Sequence, residues 1–428
     1  MEFIQSDNFV KAGILLFFFF LFSSLLKADS PTDPFDLWKE NSSRVVINTG
    51  YSFASDAITN RIAKTYFLAG FISPEMKNDV SSQAYPVNRF GADAGYSLLY
   101  EKKCKTFFGK TGFSWNVSLA DQNHLHSLFT KDAFEIYFKG NAAYSGKLAE
   151  LGKFDLSLLH YQQLTLGLSR ESIRKNYSIR WEAGLSFNKG QKFQSIHSNK
   201  ANLFTSADGE YLDLDFDIQL RGSDSAKSDL GAMNGTGGSV QLAVSIKDEE
   251  ENEFAVSIRN LGFIQFNNQS YLIPADSIFR FEGIDATPLF HFSDTIKTDI
   301  SSDSAYVQSF LSGRKKESYT YQLPAQFQIS YYRKLGECNG IQIGLDQVFY
   351  SSYLPHGWCN LEHRIHNRHK LGLMLGYGGY TVWQAGLSYQ VKFAKTWLFQ
   401  IQSSSLSGWL NTKKGRAQGA FVSLSKYL

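Results

Sequence analysis

The sequence contains few charged residues and little proline, methionine or cysteine. Of its 428 residues, 19% are charged, and there are 8 prolines, 4 methionines and 3 cysteines. A net charge of +3 gives no reason to expect nucleic acid as a partner. Because the cysteine count is odd, at least one thiol has no partner within the chain, and we expect no disulfide framework. Low proline and methionine favour an extended, strand-rich chain.

Long apolar runs are missing from most of the sequence. The mean hydropathy of −0.25 excludes a bundle of membrane helices. Near the start, Lys11 precedes an apolar run over 14–26, which has the length of a signal-peptide core, and Ala28 offers a small residue for cleavage. A short membrane anchor is the alternative for this run. We therefore expect a signal peptide over 1–28 and one exported domain over 29–428.

Aromatic residues are abundant, with 36 phenylalanines and 22 tyrosines, and they occur in alternating runs. Between 90 and 100, the even positions carry phenylalanine, alanine, tyrosine or leucine, and most odd positions carry glycine, aspartate or serine. Successive strand side chains point to opposite faces, so such a run has one apolar and one polar face. Runs of about ten residues with aromatics near their ends are typical of tilted membrane strands.

This pattern predicts an all-β fold, a transmembrane antiparallel β-barrel of about 14 strands, because bacterial single-chain barrels have even strand counts. A soluble β-sandwich or propeller is the alternative. About fifteen runs are candidate strands. Besides runs beginning near residues 90, 107 and 177, they lie near 44–53, 132–139, 161–170, 210–221, 238–247, 253–260, 324–334, 340–350, 361–377, 382–393, 396–404 and 417–428.

Two segments interrupt the alternation. Residues 55–79 have helical spacing before Pro74, and we expect them to form an N-terminal helical segment that plugs the lumen or packs beneath its mouth. Residues 283–318 are rich in serine and aspartate and form a long insertion loop, which in a compact protein usually has a function.

Several short stretches resemble an uncharacterised family of outer-membrane barrel proteins from Bacteroidetes, classed as a domain of unknown function. The matching residues are 88–93, 139–144, 260–266, 281–285 and 318–324. This family is similar in build to long-chain fatty-acid transporter-like barrels. The resemblance implies one barrel and supplies no catalytic residues. The sequence lacks an Asn-Pro-Ala hatch like that of the fatty-acid transporters.

Charged residues alternate in two runs, and we expect both to line the lumen. The acidic run is Asp213, Asp215 and Asp217, and the basic run is Arg364, His366, Arg368 and Lys370. The two ladders suit either an electrostatic path for a polar solute or internal ion pairs that fill the lumen. The second interpretation is favoured, because buried charges need partners.

Histidine is concentrated near the basic run, which raises the question of a metal site. The residues concerned are His356, Cys359, His363, His366 and His369. On a strand, His363 and His369 face away from His366, so they do not converge on one ion. We therefore expect no metal and no cofactor.

The sequence contains neither a Gly-x-Ser-x-Gly elbow nor a His-Glu-x-x-His motif, so we expect no enzyme activity. It predicts a protein of the outer membrane that passes or binds a small or hydrophobic solute. A structural or accessory barrel for envelope assembly or secretion is the alternative. Expected partners are outer-membrane lipid and lipopolysaccharide, the barrel-insertion machinery and an unidentified envelope protein.

Overall fold

The computed structural model describes residues 35, 37–224, 231–282 and 313–428. The predicted signal peptide lies outside these residues. Fourteen strands of one antiparallel sheet form a closed ring. The ring strands are, in order, β1 (Ser43–Ser55), β2 (Val87–Lys103), β3 (Phe113–Thr130), β5 (Asp155–Ile173), β6 (Tyr177–Thr205), β8 (Gly235–Asp248), β9 (Glu253–Phe266), β13 (Gln326–Leu335), β14 (Asn339–Val348), β15 (His356–Ile365), β16 (His369–Gly378), β17 (Thr381–Phe393), β18 (Trp397–Ser403) and β19 (Ala417–Tyr427).

The ring closes where the first strand pairs with the last. Strand β1 pairs with β19 from Arg44 opposite Tyr427 to Ala54 opposite Ala417. The short strand β12 (Tyr319–Gln322) precedes β13, and both strands pair with β9, one after the other along its length. The prediction of an all-β antiparallel barrel of 14 strands is therefore confirmed.

Part of the same sheet projects beyond one side of the ring. Strand β6 is 29 residues long, and its first half pairs with β8 as part of the wall. From Gln194 onward its partner on that side is β7 (Leu212–Gly222), and near its end it pairs on the other side with β4 (Lys147–Glu150). Strand β7 pairs in turn with β10 (Tyr271–Phe281), which pairs with β11 (Lys315–Lys316). We call β4, the second half of β6, β7, β10 and β11 the projecting sheet.

The two ends of the barrel differ in the length of their connections. The short-turn end carries the connections 104–112, 174–176, 249–252, 336–338, 366–368 and 394–396. The long-loop end carries 56–86, 131–154, 349–355, 379–380 and 404–416, together with the described parts of 206–234 and 267–325, which include strands of the projecting sheet. This asymmetry is typical of membrane barrels.

Alternation along the strands places apolar side chains on the outside of the ring. On β16, Leu371, Leu373 and Leu375 are exposed, whereas Lys370 and Met374, at the alternate positions, are buried. Near the long-loop end of the same hairpin, the outward rings of Tyr377 and Trp383 lie 4.9 Å apart, edge to face. Since side chains alternate strictly, the buried set faces the interior and the apolar set forms the outer surface.

Helices occupy the ends of the barrel. They are α1 (Leu37–Glu40), α2 (Asn60–Phe67), α3 (Pro74–Gln83), α4 (Lys131–Lys139) and α5 (Ser407–Leu410). Among the described residues, none of these helices is both long and apolar enough to cross a membrane.

Three expectations about segments need adjustment. The run 132–139 is helix α4 rather than a strand, because Thr130 caps its first turn by accepting the amide hydrogen of Ala133 at 3.0 Å. The run 361–377 is two strands joined by the turn 366–368. Helices do form within 55–79, but they connect β1 to β2 at the long-loop end. Of the predicted insertion, residues 283–312 lie outside the described residues.

Candidate functional site: the barrel interior

The half of the interior nearer the short-turn end contains a buried ion cluster. The Nε of Arg44 donates to Oε2 of Glu101 at 2.8 Å, and these side chains are 6% and 3% exposed. Arg180, on β6, approaches the other oxygen of Glu101 at 3.3 Å and also Glu182 at 2.6 Å. Two guanidinium groups and two carboxylates thus neutralise one another, as buried charges require.

Amide and hydroxyl side chains extend this polar lining. The amide nitrogen of Gln163 lies within hydrogen-bond distance of Asn188 (3.0 Å), Ser239 (3.2 Å) and Asn260 (3.1 Å). Gln163 and Asn260, together with the ion cluster, line a cavity of about 1740 Å³, part of which is open to solvent. We call it the chamber. Its lining combines hydrogen-bond donors and acceptors with the ion pairs of Arg44, Glu101, Arg180 and Glu182.

Nearer the long-loop end lies a second cavity of about 730 Å³, which includes open space. Asp93 on β2 holds Nδ1 of His124 on β3 at 2.7 Å, and the imidazole stacks on Tyr161 with ring centroids 5.8 Å apart. His124 and His126 both line this cavity. Among the described residues, His124 Nε2 and His126 Nδ1 have no hydrogen-bond partner although both side chains are buried. We call this cavity the histidine pocket.

Asp346 is the centre of a second group of hydrogen-bonded side chains in the wall of the histidine pocket. One carboxylate oxygen accepts the indole N–H of Trp358 at 2.8 Å, and the other lies 3.2 Å from Nδ1 of His356. His356 is 1% exposed. In each pair the aspartate holds the imidazole of a histidine directly opposite it on the adjacent strand: one pair joins β2 and β3, and the other joins β14 and β15.

Two tyrosines close the histidine pocket at the long-loop end. Tyr353, from the connection 349–355, and Tyr380, from the turn 379–380, meet edge to face at 5.0 Å. Burial raises the pKa of both phenols well above the ordinary value. A Cβ at Gly91 would lie 2.0 Å from the ring of Tyr380, so this glycine makes room for it. We call Tyr353 and Tyr380 the tyrosine gate.

The chamber and the histidine pocket adjoin each other inside the barrel. Ser257, Arg259, Gln326 and Gln328, on the adjacent strands β9 and β13, line both cavities. We call these four residues the neck. The two cavities therefore meet at the neck, and the tyrosine gate lies on the far side of the histidine pocket.

Buried apolar clusters lie around and beyond the two cavities. One lies at the level of the histidine pocket and consists of Leu159, Tyr161, Phe193, Ile264, Phe266, Tyr321 and Leu323. Another lies at the long-loop end, where helices α2 and α3 pack against Phe129 and Phe134. At the short-turn end, Leu37 of α1 packs against Leu398 and Tyr427.

The acidic ladder needs correction, because its residues lie on β7, in the projecting sheet and outside the ring. Asp213 pairs with Arg280 of β10 at 2.6 Å, and Asp215 forms an ion pair with Lys200 of β6. Asp217 accepts a hydrogen bond from Asn199 at 2.8 Å. Hydrogen bonding to Arg280 lowers the pKa of Asp213. These carboxylates pair across strands and do not line the lumen.

The basic ladder is divided between two strands and a turn. Lys370 on β16 faces the interior and pairs with Glu362 at 2.6 Å, and Arg364 shares that face on β15 by the alternation of the strand. His366 and Arg368 lie in the exposed turn 366–368 at the short-turn end. The placement of Arg364 and Lys370 agrees with an inward ladder, whereas the other two residues do not line the lumen.

The histidines near the basic run are held by separate partners. His363 bonds with Asn339 at 2.8 Å, and His369 bonds with Tyr389 at 2.8 Å. In the part of the chain that the structure describes, no three His, Cys, Asp or Glu side chains are placed to hold a metal ion.

The Asp93–His124 pair contains two parts of a catalytic triad, so its third position matters. Among the described residues no hydroxyl lies within hydrogen-bond distance of His124 Nε2. The nucleophile–base contact that acyl transfer requires is not formed at this pair.

Sequence reasoning missed Arg44, Asp93, Glu101, His124 and His126. A signal for the last two was present: the polar positions Ser114, Asn116 and Ser118 continue at the same spacing through Gln122 to His124 and His126. Extending the alternation beyond Leu119 would have placed both imidazoles on the lumen face.

Comparisons with solved structures return barrels of low similarity. The Pseudomonas putida toluene transporter TodX is 8% identical, with 93% of each chain covered and a TM-score of 0.44. The Ralstonia pickettii toluene transporter TbuX is 7% identical, with 91% of this chain and 90% of that chain covered and a TM-score of 0.44. A Pseudomonas aeruginosa FadL homologue is 9% identical, with 92% and 91% covered and a TM-score of 0.41. Likenesses this low carry no argument on function.

No curated protein matches the sequence. A family model does match it, over residues 45–401, which include thirteen of the fourteen ring strands in whole or in large part. The resemblance drawn from short sequence stretches is confirmed. The chain belongs to a family of unknown function, DUF5723.

Proposed function

We propose that the protein is an outer-membrane β-barrel that binds a small solute in its interior and passes it through a gated lumen. The observation that carries this proposal is that the chamber and the histidine pocket adjoin at the neck inside a closed ring. A barrel that served only as a rigid support would have no need of two adjoining polar cavities, since packed side chains fill the interior of small barrels.

The outer surface supports a membrane location. Outward rows such as Leu371, Leu373 and Leu375 give the ring an apolar exterior, and Tyr377 and Trp383 have the character of an interfacial girdle. In membrane barrels of bacteria the short turns face the periplasm and the longer loops face outward. On this basis we assign the tyrosine gate and the projecting sheet to the cell exterior.

In this proposal the tyrosine gate controls the passage of the solute. Tyr353 and Tyr380 come from connections rather than from the wall, so they move without disturbing a strand pair. The helical segment 55–79 covers the same end by packing against Phe129 and Phe134. We propose that this segment acts as a cover over the gate, in the place of the expected plug.

Single-channel conductance of the full chain refolded into planar bilayers tests the proposal. The double variant Tyr353→Ala/Tyr380→Ala should conduct more than the unchanged protein, because it removes both rings of the gate. Tyr350→Ala is the matched control, since Tyr350 lies in the same connection and is 56% exposed. Heat-modifiable gel migration shows that each variant is folded. Closed records for a folded double variant would contradict the proposal.

The test solutes should include an apolar compound. Fluxes of toluene into vesicles examine the hydrophobic-solute form of the proposal. Toluene uptake that requires the folded barrel and rises with the gate variant would support that form.

An accessory role in the envelope is the second candidate, and the projecting sheet favours it. Among the described residues, the β10 edge opposite β7 pairs only at Tyr271 and Leu272, with β11. A strand edge of this kind is able to bind a partner strand by backbone hydrogen bonds. Crosslinking in intact cells from a photoreactive residue at Ile278, which is 78% exposed, would identify such a partner. Absence of any protein crosslink would remove this candidate.

A further inference from the structure

We propose that the histidine pocket binds a small organic cation that carries an ammonium group with N–H donors on an apolar body, and that this cation is the solute of the barrel. The inference rests on the proposed passage of a small solute. It adds the chemical class of that solute and the residues that bind it.

The charges that line the two cavities leave a negative surplus. Among the described residues, three guanidinium groups and five carboxylates line the chamber and the histidine pocket. They belong to Arg44, Arg180 and Arg259 and to Asp93, Glu101, Glu182, Glu253 and Asp346. Cavities lined by a surplus of one sign of charge concentrate solutes of the opposite sign. The interior as a whole therefore favours a cation over an anion.

The histidine pocket itself is lined by two carboxylates and one guanidinium group. The carboxylates are those of Asp93 and Asp346, and Arg259, in the neck, is the one Lys or Arg among the described residues of this lining. Each carboxylate is held in place by hydrogen bonds with side-chain rings of neighbouring strands. Arg259 already has interactions within the protein, and its charge offsets at most one of the two carboxylates. The pocket therefore keeps a net negative charge as long as its imidazoles are neutral.

The imidazoles supply hydrogen-bond acceptors for the cation. Nδ1 of His124 lies 2.7 Å from Asp93, and its Nε2 has no hydrogen-bond partner among the described residues although the side chain is 4% exposed. A protonated ring would bury an N–H at Nε2 without an acceptor, so a neutral ring that donates through Nδ1 fits this environment. Nδ1 of His126, which is 8% exposed, also has no partner in this part of the chain. Both rings line the pocket, and an ammonium group donates to such nitrogens.

The tyrosine gate supplies aromatic surface beside the carboxylates. Burial raises the pKa of Tyr353 well above the ordinary value, and the charges of Asp346 and Asp93 raise it further. Asp93 acts in the same direction on Tyr380, whose pKa is also raised mainly by burial. Both phenols therefore stay neutral within the field of these carboxylates. The face of a tyrosine ring attracts a cation, and the apolar body of a ligand packs against the same surface.

Calorimetric titration of the full chain, refolded in detergent micelles, tests the class of solute with probes that share one ring. Benzylamine is a cation at pH 7, benzyl alcohol is neutral and benzoate is an anion, and empty micelles provide the blank for each. Benzylamine should bind, and the other two should bind about tenfold more weakly or not at all. Benzyltrimethylammonium keeps the charge but has no N–H donor, so it should bind more weakly than benzylamine.

Variants of the pocket test the site. The dissociation constant of benzylamine should rise about tenfold, or about 1.4 kcal/mol, in Asp93→Asn, since a negative charge beside the ammonium group is lost. Asp346→Asn and His126→Ala should weaken binding in the same direction, and they keep the test open if Asp93→Asn does not fold. Asp213→Asn is the matched control, because this carboxylate lies in the projecting sheet and should leave binding unchanged. Heat-modifiable gel migration shows which variants are folded.

The outcomes separate the inference from the proposed function. Equal binding of the three ring probes, or tighter binding of benzyl alcohol or benzoate, would overturn the class of solute. Benzyltrimethylammonium binding as tightly as benzylamine would overturn the role of the imidazole acceptors. Benzylamine binding that is unchanged in the folded pocket variants would overturn the site, and failure of every probe to bind would overturn the inference. Passage through the lumen is decided independently by the conductance of the gate variant, which requires none of these probes.

Discussion

The buried ion cluster provides a demanding test of the interior, through the substitution Glu101→Gln. Glu101 is 2% exposed and forms ion pairs with both Arg44 and Arg180. Glutamine keeps the shape and one acceptor oxygen but removes the negative charge. Arg180 retains Glu182 at 2.6 Å, whereas Arg44 is left buried without its carboxylate.

Breaking a buried ion pair by removing one partner costs about 3–5 kcal/mol. We expect the lower end, about 3 kcal/mol, because the amide oxygen still accepts a hydrogen bond and Arg180 stays paired. Low exposure of both Arg44 and Glu101 means that solvent screening reduces this value little. The removal of the arginine as well, in Arg44→Met/Glu101→Gln, should recover much of the loss, since no uncompensated charge remains at this position.

Urea unfolding of the protein in lipid vesicles, followed by tryptophan fluorescence, measures these free energies. Glu75→Gln is the control, because Glu75 pairs with Arg61 at 3.2 Å on the surface, where its side chain is 64% exposed. Exposed pairs contribute about 0–1 kcal/mol. A loss for Glu101→Gln no larger than that of the control would refute the view that the cluster is a buried, mutually neutralised unit. Additive losses in the double variant would refute it equally.

Three further predictions address the gate, the projecting sheet and a loop carboxylate. Gly91→Ala should displace the ring of Tyr380 and increase conductance, whereas Gly357→Ala, whose added Cβ meets nothing within 4 Å, should not; equal records would contradict the packing. Asp213→Asn should leave conductance and ion selectivity unchanged, because the residue lies outside the ring; a shift in reversal potential would place it in the lumen. Burial raises the pKa of Asp56 above 3.8, so the folded state binds its proton more tightly, and its contribution to stability should fall as pH rises from about 3.8 through the raised pKa. Denaturation midpoints against pH should lose this slope in Asp56→Asn.

The sequence was sufficient to predict the ring, because a strand between lipid and a polar interior has a strict period of two. Strand β2 shows why: Tyr96 and Leu98 are exposed on the outside, and Ser97 and Glu101 are buried inside. Their alternation follows from local geometry alone, so no knowledge of distant contacts is needed.

The same alternation failed wherever two different environments produce one pattern. Strand β7 alternates aspartate with leucine or phenylalanine as a lumen strand would, yet it belongs to the projecting sheet, where its pairing with β6 and β10 is set by contacts far apart in sequence. In 132–139, Phe134, Ile136 and Phe138 alternate, but the Thr130 cap and Gly140, with a φ of 83°, enclose a helix.

The histidine pocket was not predicted for a related reason. Asp93 and His124 become neighbours only through the pairing of β2 with β3, and the tyrosine gate joins connections that follow β14 and β16. A single sequence records the alternation that places each side chain inside, but not which interior residues meet. The Bacteroidetes origin, the signal peptide and the insertion loop over 283–318 stay predictions.

The continuity of strand β6 has a mechanical consequence. Its backbone runs for 29 residues without interruption, from the wall beside the chamber, past Phe193, into the projecting sheet. Hydrogen-bonded strands are stiff along their length, so a load applied to the projecting sheet passes along β6 into the wall. The load arrives beside the irregular pairing at His160 and Tyr161, where the ladder shifts by one residue. Tension on the projecting sheet thereby reaches the aromatic ring of Tyr161, on which His124 stacks.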